Sequence, residues 1–182
     1  MLSLILYTLA ILVLLIFLIF MTIYTLLLMY SSFMGSPYVP TKQKELEYIL
    51  SQSGLKKGRS FFELGCGDGR VLRTAVRKYG VIGIGLDVNP LMILYAKLLS
   101  KIQNIPCTFK QQNILYVDYR KADYIYLFLM PDLIKKLLPV LKARVKKKAV
   151  IISHGFRLNS WERFITKHIP HAPFPTFIYR LP

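Results

Sequence analysis

Residues 2 to 30 form an almost unbroken apolar run, interrupted only by Ser3, Thr8, Thr22, Thr25 and tyrosines. Wound as a helix, the run would be roughly 43 Å long at about 1.5 Å per residue, against a bilayer hydrocarbon core of about 30 Å. It predicts one transmembrane helix that spans with tilt or overhang. Tyr24 and Tyr30 suit one membrane interface and Tyr7 the other. A cleaved signal peptide fits poorly: no Lys or Arg precedes the run, it is too long, and no A-x-A site follows it.

Residues 31–41, SSFMGSPYVPT, read as a linker with two prolines. Beyond it the hydrophobic pattern shortens and alternates between two kinds of segment. A helix is expected over about 42–52, with Thr41 as N-cap, an apolar face of Leu46, Ile49 and Leu50, and Gly54 and Gly58 closing the segment. Ser60 to Leu64 is a short apolar strand. Arg70 to Tyr79 places Val71, Leu72, Ala75, Val76 and Tyr79 on one helical face, and Gly80 ends it. A strand at Val81–Leu86, a helix from Pro90 to about Lys101, and strands at Pro106–Lys110 and Tyr124–Leu129 follow. Then come a helix at Asp132–Leu141, which Pro139 should kink, and a strand at Ala149–Ser153. Two further strand-like runs, about Phe164–Ile169 and Phe177–Leu181, end the chain. The middle strands are continuous apolar runs, as expected where helices cover both faces of a sheet. The pattern predicts an α/β domain over 42–182: a doubly wound, mainly parallel sheet of about seven strands with an antiparallel finish, preceded by the transmembrane helix of 1–30 and the linker.

Charge sharpens this division. Residues 1–41 carry no Asp, Glu, Lys or Arg, so all 25 basic and 9 acidic side chains, and the net charge of +16, belong to residues 42–182. The basic residues that follow the span, Lys42, Lys44, Lys56, Lys57 and Arg59, place the domain on the cytoplasmic side, or the equivalent side of an organelle. A basic body is drawn to anionic lipid headgroups or to nucleic acid, and the span counts against nucleic acid. The basic runs Lys135-Lys136 and Arg144–Lys148 are expected to face solvent or headgroups. Cys66 and Cys107 are too few for a disulfide framework and lack metal-ligand spacing, so no metal is expected.

Candidate chemistry sits after the first strand, in Glu63-Leu64-Gly65-Cys66-Gly67-Asp68-Gly69. Glycines at alternate positions permit a tight turn and let the backbone approach a ligand at the carboxyl end of a sheet. The following helix aims free N–H groups at the same place. The dinucleotide pattern G-x-G-x-x-G is not met: the third glycine comes one residue early, and position 70 is Arg. Glu63 also argues against a pyrophosphate, and favours a ligand carrying an ammonium and a sulfonium. Asp87, closing the second strand, is placed to accept from ribose hydroxyls or to cap the next helix. Val88 can pack on an adenine face, and Asn113 can bond its edge or serve as a turn residue.

These segments resemble the class I S-adenosylmethionine-dependent methyltransferases. FFELGCGDGR matches their glycine motif, GLDVNP the second strand, and QQNILYVDYRKADYIYLFL the next two, so the resemblance covers about residues 41 to 182. It implies a Rossmann-like methyltransferase fold, with Glu63 at the methionyl end of S-adenosyl-L-methionine and Asp87 at the ribose. The family usually has Asp where this chain has Asn113. More narrowly, the span, PYVPT before the domain, ELGCGDGR and Leu129-Met130-Pro131 are similar to small membrane-anchored protein-lysine methyltransferases. Those are related to the mitochondrial enzymes that modify the c-type subunit of ATP synthase and the adenine nucleotide translocase.

The implied acceptor is a lysine of a membrane-associated protein; the alternatives are a lipid, quinone or other membrane-partitioned molecule, RNA, or an inactive cofactor-binding module. Phe128, Met130, Pro131 and Asp132 stand at the acceptor end of the fourth strand. Asp132 can hold an amine or cap a helix. His154 ends the fifth strand near the same rim, and the resemblance makes Tyr38 and Thr41 a lid. Trp161 is expected in the core.

Overall fold

The computed structural model describes residues 1–33, 42–170 and 173–182. Helix α1 runs over Leu2–Phe33. Its window Leu2–Leu26 is long and apolar enough to cross a membrane, and none of it is buried by the rest of the protein, unlike the core helix of a soluble domain. The threonine hydroxyls are spent within the helix: Thr8 donates to the Leu4 and Ile5 carbonyls, Thr22 to that of Leu18 and Thr25 to that of Thr22. These hydroxyls need no water, which is the condition a lipid environment imposes.

The remaining elements build one seven-stranded sheet in the order β3-β2-β1-β4-β5-β7-β6. The strands are β1 Ser60–Leu64, β2 Ile82–Asp87, β3 Cys107–Gln111, β4 Tyr124–Leu127, β5 Val150–His154, β6 Ile165–Ile169 and β7 Thr176–Arg180. The first five pair in parallel, and β7 is antiparallel to both β5 and β6. This is the doubly wound sheet with an antiparallel finish that the apolar runs predict. Because β1, β4 and β5 run the same way, Leu64, Leu127 and His154 end on one carboxyl edge, and the glycine loop leaves from it.

Helices α2 Gln43–Gln52, α3 Arg70–Tyr79 and α4 Pro90–Ile102 cover one face of the sheet, with Leu46, Ile49, Leu50, Leu72 and Ala96 packed against Phe61, Tyr124, Tyr126 and Ile152. Helix α5, Pro131–Arg144, covers the other, with Ile134, Leu137 and Leu141 against Leu64, Ile125 and Ile151. Trp161 is buried on that second side. Strand alternation therefore sends Glu63, Tyr126 and His154 toward the α2–α3 face.

Most strand boundaries shift from expectation by a residue or two, and the helix ends near the site differ as well. Helix α5 starts at Pro131 and runs on through Pro139 to Arg144, because apolar residues on both sides of the proline are anchored to the sheet. Met130, not Asp132, occupies its capping position. Helix α2 is capped by Lys42 without a side-chain bond; Thr41 lies outside the described residues, as does Tyr38.

Candidate cofactor and acceptor site

The glycine loop is held in shape by backbone conformations that other residues rarely adopt. Gly65, Gly67 and Gly69 have φ of 70°, 52° and 72°. The Gly65 and Cys66 amides donate to the Leu86 carbonyl, tying the loop to β2. A Cβ at Gly69 would lie 2.4 Å from the ring of Phe109, and one at Gly85 2.7 Å from it. Phe109, from β3, is thus the floor on which the loop rests, a role that no local sequence pattern signals.

Three carboxylates are buried here: Glu63, Asp68 and Asp87. Glu63 Oε2 accepts from the Leu72 amide at 2.9 Å, capping the first turn of α3. Burial pushes the Glu63 carboxyl well above its ordinary value, opposed by the Leu72 hydrogen bond and reinforced by Asp68. Asp87 Oδ2 accepts from the Gly67 amide and Oδ1 from that of Asn89, both at 2.9 Å. Its carboxyl is also raised by burial against those hydrogen bonds. Asn89, not Asp87, caps α4, accepting from Leu91 and Met92. Asp68 turns away to a bidentate pair with Arg70, whose Nη2 lies 2.9 Å from Oδ2.

Asp68 is offset by Arg70, but burying Glu63 and Asp87 beside it is costly unless a further cation joins them. A sulfonium with an α-ammonium is such a ligand, so the residues present fit S-adenosylmethionine. Cys66 is buried and its thiol is pushed up by burial, then by Glu63 and Asp87, so it is no thiolate nucleophile. Val88 is half-buried at the end of β2. Asn113 Oδ1 accepts from the Leu115 amide, starting a short 3₁₀ turn at Ile114–Tyr116.

Two strands along the same edge stands a second group. His154, 1% exposed, has Nδ1 2.9 Å from Thr176 Oγ1 and Nε2 3.9 Å from Glu45 Oε1 on α2. Its ring meets Phe128 edge-to-face at 4.5 Å, and Phe128 meets Phe174 at 5.0 Å. At about 4.8 Å per strand this cluster sits roughly 10 Å from β1, within reach of a ligand in the loop. The structure brings His154 and Phe128 together. It leaves Asp132 outside, at 90% side-chain exposure and 3.5 Å from Lys135. Glu45, Phe174 and Thr176 are the members that sequence reading missed.

A family model described as the ANTKMT methyltransferase domain matches residues 63–164, from Glu63 of the loop past His154. The chain belongs to this family. It is therefore in a protein-lysine methyltransferase family whose cofactor is S-adenosyl-L-methionine. A protein-lysine N-methyltransferase of Saccharolobus islandicus (strain REY15A) is 29% identical over 130 residues, covering 69% of this chain and 80% of that protein. The human lysine N-methyltransferase of the c-type subunit of ATP synthase is 23% identical over 127 residues, covering 69% and 54%. The mouse adenine nucleotide translocase lysine N-methyltransferase is 26% identical over 130 residues, covering 69% and 56%. The chain thus spans just over half the length of the two mammalian relatives. Among solved structures, an RNA methyltransferase from Salinibacter ruber in complex with S-adenosyl-L-homocysteine superposes with a TM-score of 0.75 at 23% identity, over 79% of this chain and 94% of that one. That likeness shows the shared fold.

Proposed function

We propose that this protein methylates a lysine ε-amine of a membrane-associated protein while anchored by α1, with its catalytic domain on the cytoplasmic or equivalent side. The observation that carries the reading is the cluster of Phe128, Phe174 and His154 beside Glu45, next to the cofactor loop. Aromatic faces and a carboxylate are what a lysine side chain meets well, apolar along its stem and cationic at its tip. A body of net charge +16 is a poor general surface for a basic peptide. However, Glu45 on α2 places a carboxylate at the site itself, 3.9 Å from His154.

Bound in the loop, S-adenosylmethionine supplies an electrophilic methyl on a positively charged sulfur. Glu63 would hold the ligand ammonium, and Asp87 would accept from the ribose hydroxyls with the lone pairs its backbone bonds leave over. Val88 would pack on the adenine and the Asn113 amide would donate to its edge. The acceptor nitrogen must arrive without its extra proton, because its lone pair forms the new bond to carbon while sulfur keeps the electrons of the old one. Glu45 first draws the ammonium in. His154, oriented by Thr176, then holds the proton as it leaves toward solvent. Phe128 and Phe174 exclude water and align the amine for in-line approach.

The test is to incubate the full-length protein with membranes and methyl-labelled cofactor and to ask which fraction takes up label. Label in a protein band is expected. Label confined to the organic extract would assign a lipid or quinone acceptor, and label confined to RNA a nucleic-acid one; either would overturn the proposal.

A further inference from the structure

At the opposite, amino-terminal edge of the sheet lies a cavity of about 430 Å³ that the chemistry above does not use. Its lining includes Lys56, Arg59, Lys146, Lys147, Lys148 and Arg180. These come from three separated segments: the approach to β1, the α5–β5 turn, and the end of β7, where Arg180 pairs in register with Val150. Among the described residues, the only acid in the lining is Asp123. It is already occupied: its carboxylate accepts from the Ser60 amide and hydroxyl at 2.9 Å each, pairs closely with Lys146, and lies 3.6 Å from Arg59. Burial works against ionisation of Asp123, yet the hydrogen bonds from Lys146 and Ser60 outweigh it and hold the group below its usual value. One carboxylate against six cations leaves a surplus of five positive charges around one concave space.

Gathering six cations around one concave space raises their mutual repulsion, which a bound anion relieves. Lys148 adds a second cost: its φ of 64° lies in the left-handed region, where glycine or asparagine would sit more easily. A diffuse basic surface needs neither feature, because its charges spread to lower their repulsion. Guanidinium and ammonium groups converging from several directions match the oxygens of phosphate, which accept from many donors at once. A neighbouring cavity shares Lys146 and Lys147 and is walled by Leu138, Trp161, Phe164 and Leu181, so an apolar tail attached to the phosphate would also find a surface.

We propose that this amino-edge cavity is a binding site for a phosphorylated polyanion, either a free oligophosphate or the headgroup of an anionic phospholipid. It is separate from the cofactor site, at the other end of the strands, and does not depend on the identity of the methyl acceptor.

Isothermal titration of the full-length protein in neutral detergent micelles tests it, with inorganic tripolyphosphate in one arm and a short-chain phosphatidic acid in the other. Short-chain phosphatidylcholine serves as the uncharged control. Saturable binding of at least one phosphorylated probe is expected; the tighter arm identifies the source. Lys147→Ala with Lys148→Ala should weaken that binding about tenfold or more, while S-adenosylmethionine affinity, measured on the same sample, stays unchanged. Lys135→Ala with Lys136→Ala removes the same charge elsewhere on the surface and should change it less than about threefold. Absence of binding in both arms, equal loss in both double variants, or equal binding of phosphatidylcholine would overturn the proposal.

Discussion

His154 and Thr176 face each other across the β5–β7 pair, with the imidazole Nδ1 2.9 Å from the threonine hydroxyl. The bond fixes the ring and leaves Nε2 as the nitrogen facing Glu45, 3.9 Å away. Thr176→Val keeps the shape of the side chain and removes the bond. We expect kcat for methyl transfer to fall about tenfold, the equivalent of a lost hydrogen bond of about 1 to 1.5 kcal/mol, with cofactor affinity unchanged. Thr176→Ser should restore most of the rate. A parallel loss of cofactor affinity would show that the pair only supports the fold.

Asp87 supports the loop and, in this account, the ribose. Asp87→Ala removes the acceptor for the Gly67 and Asn89 amides as well as that for the ligand. Cofactor affinity should drop by about tenfold to a hundredfold, the range for hydrogen bonds to a charged group. Asp118→Ala, at an exposed carboxylate paired with Arg120, should leave it unaltered. Calorimetric affinities of the two variants give the comparison, and an unchanged value for Asp87→Ala would remove it from the ribose site.

The raised Glu63 pKa sets a pH dependence of known sign. For a carboxyl raised on folding, the ligand-free protein gains stability at low pH and loses it as pH rises through the raised value. A cationic ligand favours the ionised form, so S-adenosylmethionine binding should strengthen as pH rises over that same interval and release a proton. Glu63→Gln should bind more weakly and flatten the dependence. Titrations in buffers of different ionisation enthalpy measure the proton release directly; none in the wild type would contradict this placement of Glu63.

Phe109 should limit what the sheet tolerates beneath the loop. Gly85→Ala places a Cβ 2.7 Å from a ring carbon of Phe109 and 3.0 Å from Cys66 Sγ. Overpacking of this kind costs about 1 to 3 kcal/mol, and a melting point in a chain of this size moves about 2 to 4 °C per kcal/mol. Thermal denaturation should show that drop, and adding Phe109→Leu to Gly85→Ala should recover part of it. No recovery would mean that Phe109 is not the obstacle.

The fold was legible where local chemistry decides it. Strand β1 and the loop could be read because a buried strand is a continuous apolar run and the following turn demands glycine at 65, 67 and 69. Gly80 marked the end of α3 for the same reason. The cluster around His154 was legible only in part. His154 and Phe128 stand at strand ends, which draws attention to them, whereas Glu45 and Thr176 reach His154 through the packing of α2 and the reversal of β7. No local pattern encodes that meeting. Asp132 reads as both a cap and a ligand because it is an acid after a strand; the helix begins at Pro131, so Met130 takes the capping position and the carboxylate lies in solvent.

The central claim concerns the atom that receives the methyl group. Tandem mass spectrometry of the protein labelled in membranes, compared with a reaction lacking the enzyme, locates it directly. The expected result is methylation on the Nε of one lysine, reduced by Asp87→Ala at sub-saturating cofactor and by Thr176→Val. Methyl groups on any other side chain, or a labelled lysine that persists without the enzyme, would contradict the account.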